Sequence, residues 1–461
     1  MTVDRELIDR LLSQTEPSSL LPARRSDEAA RIELPLDLVA YVRLDESRSD
    51  LWYLNVRDAR GVSYGVPCVA TAEALRRARP GEGAAEALLH RMRAGLHRMR
   101  AGLHRMRAGG DGSSGDALVI TCWHADPCSG ERGFDVDQTN ELVVVGERAV
   151  VKWLLHPTIE EQPAPRRLAA LAKASFTGTP RPWGLVSLDE AGADVLIATV
   201  IEYVAGAEDG WEWAVGDVRS LALGETDEAT ALRSIPQIGR LVAEMHLAFA
   251  PGGRAIATDA EAEGWSIEAA DDLREADLGA PTSGLIEQEF ALLAGLVGTI
   301  IIDVHGDLHI GQVLRTSPGD GLSIIDFDGS PTRSPEQRLT RQPAARDVAG
   351  MLASLDHVGR VVLHRTEGLD DGQRARVHDW IAEAQRGFRD AYLSRLAEAG
   401  EEALLDARLV RPFQLQQECR EFIYAARYLP HWKYVPEGAL AALLGREFER
   451  PSIMMRERHD T

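Results

Sequence analysis

Hydrophobic and polar positions alternate in two regimes along the chain. Leu7, Ile8, Leu11 and Leu12 recur at helical spacing and predict a short N-terminal helix. Residues 34–46 and 51–58 read as strands joined by a turn at 47–50. From Thr71 to Ala108 the pattern becomes helical. Residues 117–205 are β-rich. Segments 141–145 and 149–155 alternate around Gly146-Glu147-Arg148, a hairpin, and 195–204 is an apolar strand. Beyond Trp211 the pattern is mostly helical, with amphipathic stretches at 235–250, 284–296, 346–362, 371–399, 402–428 and 437–447. One β island, 299–307 and 322–328, interrupts them.

Two local patterns invite over-reading. Leu-His-Arg-Met-Arg-Ala-Gly stands three times in tandem, over 89–109, and its period of seven places Leu and Met in one stripe. Each copy ends on a helix-weakening glycine, so a duplicated helical linker is expected rather than a coiled coil. Gly110-Asp111-Gly112-Ser113-Ser114-Gly115 matches G-x-G-x-x-G. A dinucleotide fingerprint must follow a strand and open a helix. Here an Arg-rich helix precedes and a strand follows, so a plain linker is expected.

Composition narrows the classes. The chain has 461 residues, 51 Lys+Arg against 72 Asp+Glu, and a formal net charge of −21. That balance argues against nucleic acid as a partner, because phosphate-backbone binding needs a cationic surface. It is compatible with a cationic ligand. No apolar run reaches the roughly 20 residues needed to span a bilayer, so no membrane partner is expected. The N-terminus lacks a secretory pattern. Cys68, Cys122, Cys128 and Cys419 are too scattered for a disulfide framework. A cytoplasmic protein is expected, with three parts: an N-terminal cap over 1–115, a β-rich lobe over 116–205 and a helical lobe over 206–461.

The densest chemistry lies in His305-Gly306-Asp307-Leu308-His309-Ile310-Gly311-Gln312 and Ile324-Ile325-Asp326-Phe327-Asp328-Gly329. Phosphoryl transfer needs a group to orient the attacking hydroxyl, metal ions on the phosphates, and a nearby cation. Protein kinases place an amide metal ligand five residues after the catalytic Asp, then a second Asp at a strand end. Asp307 with Gln312, and Asp326 after an apolar strand, reproduce that spacing. A His/Asp zinc site is the rival reading, and the chain lacks a clear further ligand pair for it.

These segments resemble the aminoglycoside-phosphotransferase-like kinases. The Gln-bearing form of the loop looks like the maltokinase and bacterial glucosamine kinase branch. Residues 238–246 fit that family's helix before the catalytic loop, and 346–352 its helix after the metal loop. The resemblance implies an α+β, protein-kinase-like two-lobed fold with an α/β cap. It implies ATP and Mg²⁺ as cofactors and a small-molecule sugar as acceptor. Asp307 becomes the catalytic base, and Gln312 and Asp326 magnesium ligands, with Asp328 supplementing them. His305 is expected to hold the loop.

On the nucleotide side, Lys152 ends an apolar strand, where a lysine is costly without a partner. Glu161 is its preferred carboxylate partner, ahead of Glu160. No Gly-rich loop stands upstream. Thr139 and Asn140 are candidate phosphate donors there, against the alternative of a plain turn. Backbone groups of Glu202 and Val204 are the candidate adenine hinge.

For the acceptor, Gln417, Glu421, Tyr424 and Tyr428 share one face of the helix ended by Pro430, and Gln416, Arg420 and Arg427 form a neighbouring strip. The segment ending Pro430-His431-Trp432 looks like the glucosamine kinase version rather than the maltokinase one. An aminosugar is cationic at neutral pH, so Glu421 is expected to meet its ammonium group. Gln416 and Arg420 are expected on hydroxyls, Tyr424 as a wall, and Trp432 as stacking partner. The implied activity is phosphorylation of glucosamine to glucosamine 6-phosphate. Maltokinase, another aminosugar or aminoglycoside phosphotransferase, and a non-catalytic nucleotide-binding regulator remain the alternatives.

Overall fold

The computed structural model describes residues 3–22, 25–100, 106–108, 118–134, 140–190, 192–296, 298–317 and 320–445. The chain divides into two compact units, Met1–Gly206 and Ala207–Thr461.

The first unit carries two antiparallel sheets. Strands Asp37–Arg43, Leu51–Arg57, Ser63–Ala70 and Leu75–Arg77 form a four-stranded meander in chain order. The second sheet runs in the order Met106–Ala108, Leu118–Cys122, Pro182–Glu190, Ala193–Glu202, Ala149–Trp153, Glu141–Val145, Glu131–Gly133. Strand Leu51–Arg57 shows how the period of two builds both cores. Trp52, Leu54 and Val56 join a cluster with Ile8, Leu11 and Leu12 of helix Val3–Leu12. Leu51 and Tyr53 face the other way, into a cluster with Leu88, Leu89 and Met92 of helix Ala84–Arg100 and with Val151, Trp153, Val186 and Ile197 of the larger sheet. Residues of the N-terminal module and of the β-rich segment thus share one apolar core. Gly184 is required there: a Cβ would stand 2.3 Å from the Thr121 carbonyl and 2.6 Å from Met92.

The expected hairpin forms, with Gly146 and Glu147 both at positive φ (60° and 52°) in its turn. The helical reading of 71–108 needs correction. Leu75–Arg77 is a strand, and the helix starts only at Ala84. The third heptapeptide copy contributes strand Met106–Ala108, which pairs with Leu118–Cys122. The 110–115 glycine motif lies outside the described residues.

The second unit is helical: Gly210–Leu223, Ile235–Gly253, Asp259–Ala276, Ala280–Phe290, Ala345–Arg365, Asp371–Ala399, Val410–Tyr428 and Tyr434–Leu444. Helix Ala345–Arg365 is buried along nearly its whole length, because the helices starting at Gly210, Asp371, Val410 and Tyr434 all pack on it. The β island shrinks to a two-residue strand, Ile300–Ile301, and a hairpin, Val313–Ser317 with Asp320–Ile324. Among the described residues no helix is long and apolar enough to cross a membrane.

Candidate active site

Asp307 sits in the loop between strand Ile300–Ile301 and the hairpin. A buried carboxylate on helix Ala345–Arg365 fixes that loop. Asp347 Oδ2 accepts the His305 backbone N–H at 2.6 Å, and Oδ1 accepts that of Gly306 at 2.9 Å. His246, from helix Ile235–Gly253, contacts Asp347 Oδ2 through Nε2 at 3.0 Å, and its Nδ1 meets the Tyr392 hydroxyl at 2.7 Å. An ionised carboxylate has no proton to give, so Nε2 carries one and donates it to Asp347. Burial acts to raise the Asp347 carboxyl, but the His246 hydrogen bond, the two imidazoles and the Gly306 N–H outweigh it and hold the group below its ordinary value. Helix and loop approach closely at Gly350, where a Cβ would stand 2.6 Å from the Leu308 carbonyl.

His305 does the work expected of it. Its Nε2 lies 2.8 Å from the Ile325 carbonyl, and its Nδ1 is 3.4 Å from the Asp307 N–H. Nε2 therefore donates to that carbonyl. The Ile325 N–H returns to the Gln312 carbonyl at 2.9 Å. One imidazole and one backbone bond thus tie the Asp307 loop to the segment carrying Asp326 and Asp328.

Asp326 is exposed and adopts a left-handed backbone conformation with φ 66°. Such strain in a non-glycine residue concentrates at functional sites. Asp328 is half-buried, and the Gln312 side chain is almost fully buried. Burial pushes the Asp307 carboxyl above the usual carboxylate range; His309 and His305 pull it back, and Asp326 adds to the rise. Carboxylates and an amide oxygen are the hard-oxygen donor types that magnesium takes. Among the described residues no three His, Cys, Asp or Glu side chains converge as a complete cage. Magnesium, which keeps waters and substrate phosphates among its ligands, needs no such cage.

On the first unit, Lys152 lies in strand Ala149–Trp153, opposite Thr199 on one side and Leu142 on the other. Asn140 Oδ1 accepts the Leu155 N–H at 3.2 Å, so this side chain closes the hairpin's open end. Thr139 lies outside the described residues. Glu161 departs from expectation. Pro163 sets the start of the next helix, Pro163–Ala174, which leaves Glu161 in the preceding loop, exposed and 3.7 Å from Arg166. At the strand end, the Glu202 N–H donates to the Arg181 carbonyl at 2.8 Å. The Arg181 N–H goes to the Glu202 carboxylate at 3.3 Å rather than to its carbonyl. On this edge the ladder ends at Glu202, while on the other the Tyr203 N–H still donates to the Arg148 carbonyl at 2.8 Å, one residue before Val204.

The acceptor helix Val410–Tyr428 divides the expected residues into two sets. Glu421 Oε2 accepts the Trp432 indole N–H at 3.1 Å, and Oε1 accepts the Gln417 amide at 3.2 Å. Trp432 also packs on Trp211, with ring centroids 5.6 Å apart. Tyr424 is exposed beside Tyr428. Gln416 and Arg420 are instead committed to protein partners. Gln416 is buried, accepts from Arg346 at 3.0 Å and donates to Asp272 at 2.7 Å. Arg420 holds Asp272 at 2.8 Å and Glu268 at 3.0 Å. Direct hydroxyl binding by these two side chains is corrected accordingly. The missed residues are on helix Asp259–Ala276, where Glu268, Asp272 and Glu275 form one acidic strip that pairs with Arg420, Gln416 and Arg427. Its i, i+4, i+7 spacing was the available signal. Beneath this helix, His357 Nε2 lies 3.0 Å and 3.1 Å from the two Glu418 oxygens, both groups buried.

No family model matches the chain. It is 44% identical over 450 residues to a glucosamine kinase of Streptacidiphilus jiangxiensis, covering 94% of this chain and 97% of that one. A glucosamine kinase of Mycolicibacterium smegmatis is 39% identical over 390 residues, covering 82% and 92%. A solved glucosamine kinase in complex with glucosamine, ADP and inorganic phosphate superposes with a TM-score of 0.78 at 42% identity, covering 94% of this chain and 98% of that one. On these near-complete matches the chain belongs to the glucosamine kinases, on a protein-kinase-like α+β fold.

Proposed function

We propose that this protein transfers the γ-phosphoryl group of ATP to the 6-hydroxyl of glucosamine. The observation that carries the reading is the Asp307 loop, clamped by Asp347 and tied through His305 to Asp326. The sugar hydroxyl lies against the Asp307 carboxylate, which orients it and takes its proton as the new P–O bond forms. The raised Asp307 proton affinity suits that role, because a base must hold the proton it receives. Gln312, Asp326 and Asp328 would hold magnesium, which when bound neutralises phosphate charge. Lys152 would pair with the phosphates, and the Glu202 carbonyl and Val204 N–H would receive the adenine edge. Asn140 shapes the loop beside them. Glu421, held by Gln417 and Trp432, meets the sugar ammonium group, with Trp432 and Tyr424 bordering the ring.

The test is ADP release with magnesium-ATP and glucosamine, glucose, maltose or an aminoglycoside as acceptor. Glucosamine is expected to be turned over with the highest kcat/KM, and the product to carry phosphate on O6. Equal kcat/KM for glucosamine and maltose would overturn the reading.

A further inference from the structure

Helix Val410–Tyr428 is bordered by a cluster of ion pairs in which three guanidinium groups share two carboxylates. Glu268 Oε2 takes Arg346 at 2.7 Å, while Oε1 takes Arg420 at 3.0 Å and Arg333 at 3.2 Å. Asp272 Oδ2 takes Arg420 at 2.8 Å and the neutral Gln416 amide at 2.7 Å. Within these ion pairs three guanidinium groups meet two carboxylates, and Asp307 is a further carboxylate that acts on Arg333. Arg346 and Arg420 account for the two carboxylates; Arg333 shares an oxygen that Arg420 already uses.

Arg333 is also the member with a route to the reaction. Its side chain is 10% exposed, and it stands on the loop that runs on from Asp326-Phe327-Asp328-Gly329 through Ser330 and Thr332, whose hydroxyls are 3.0 Å apart. Burial, then repulsion from Arg420, push its guanidinium down to about 10, and Asp307 is among the groups that pull it back up. Ser330 is itself a hydrogen-bond partner of Asp307. A buried cation is costly when an anion near it is neutralised, as Asp307 is when it takes the hydroxyl proton, unless another anion arrives. In phosphoryl transfer the group leaving ATP carries its negative charge toward the acceptor side, where a guanidinium fork is suited to receive it.

We propose that Arg333 is an anion-binding residue for the transferred phosphoryl group, which it contacts as that group reaches the sugar and while it remains on the product. The covalent step is unchanged: the bond from Pγ to the ADP oxygen breaks, the bond to the sugar oxygen forms, and the hydroxyl proton passes to Asp307. This inference rests on the sugar-kinase reading, so its test includes a readout free of any acceptor.

The experiment compares wild type, Arg333→Gln and Arg333→Lys. It measures kcat and KM for glucosamine, and inorganic phosphate binding in the presence of magnesium-ADP by titration calorimetry. Arg333→Gln is expected to lower kcat about 100-fold or more and phosphate affinity about tenfold or more, with KM for ATP within about threefold. Arg333→Lys is expected to fold with an unchanged Tm and to keep intermediate affinity, because it retains charge without the fork. Unchanged phosphate affinity in both variants overturns the proposal. So does a loss confined to the glucosamine KM, the signature of a mere prop for Glu268. If Arg333→Gln does not fold, Arg333→Lys decides alone: phosphate affinity equal to wild type overturns it. Wild type that binds phosphate through Arg333 but does not phosphorylate glucosamine would overturn the acceptor assignment and leave the anion site standing.

Discussion

Replacing Asp347 by Asn isolates the clamp on the catalytic loop. The carboxylate receives three N–H donors, from His305, Gly306 and His246. An amide keeps one accepting oxygen and turns an NH₂ toward a donor. In its best orientation it serves His305 and His246 and leaves the Gly306 N–H unpaired. An unmet buried donor costs about 1–3 kcal/mol, and the two surviving bonds lose charge assistance, roughly 1 kcal/mol each. The sum is about 3–5 kcal/mol, or a Tm lower by roughly 6–20 °C for a unit of this size. Displacing the loop by about 1 Å is also expected to lower kcat about 100-fold. Differential scanning calorimetry and coupled ADP release measure the two effects. The stability gap has a defined pH dependence. Asp347 is held below its ordinary value, so its contribution is complete above the unfolded carboxyl's pKa of about 4 and is lost as pH falls through the folded value. The gap between variant and wild type is therefore expected to close in acid. An Asp347→Asn enzyme melting within about 2 °C of wild type and turning over within about threefold would refute the clamp.

Further outcomes follow from the same geometry. Asp307→Asn should lower kcat by about 10²–10⁴ while leaving Tm equal or higher, because the raised carboxyl costs stability when ionised at neutral pH; a lower Tm in calorimetry would contradict that sign. Glu421→Gln should raise KM for glucosamine about tenfold or more while changing that for neutral glucose little, as steady-state assays on the two sugars would show. His357 is drawn down by burial and lifted more strongly by Glu418, to about 9. Burial lifts Glu418 to about 7, so the charged pair exists between about 7 and about 9; the His357 contribution is lost as pH rises toward about 9, and wild-type Tm should fall over that window more steeply than that of His357→Gln, while parallel melting curves would exclude the imidazolium.

The sequence by itself determined what is encoded in contiguous residues. His305 to Gln312 and Asp326 to Asp328 set out the candidate site at fixed short spacing, and helix 371–399 and the 141–153 hairpin follow from local periodicity and turn residues. Spacing decides such features because the partners are neighbours on one element. What lay beyond it depends on partners far away in the chain. Leu75–Arg77 completes a sheet that covers an apolar face, so it reads as a strand only once its neighbours are in place. The tripeptide Met-Arg-Ala is helical at 92–94 and a strand at 106–108, where Leu118–Cys122 offers an edge to pair with. Asp347 becomes the keeper of the catalytic loop because its helix delivers it to backbone donors 41 and 42 residues upstream. Gln416 and Arg420 resemble sugar ligands on a helical wheel, yet the tertiary structure gives them to Asp272 and Glu268. A polar stripe states only that partners are needed; whether they are solvent, substrate or another helix is settled by what packs against it, and burial makes that choice energetically binding.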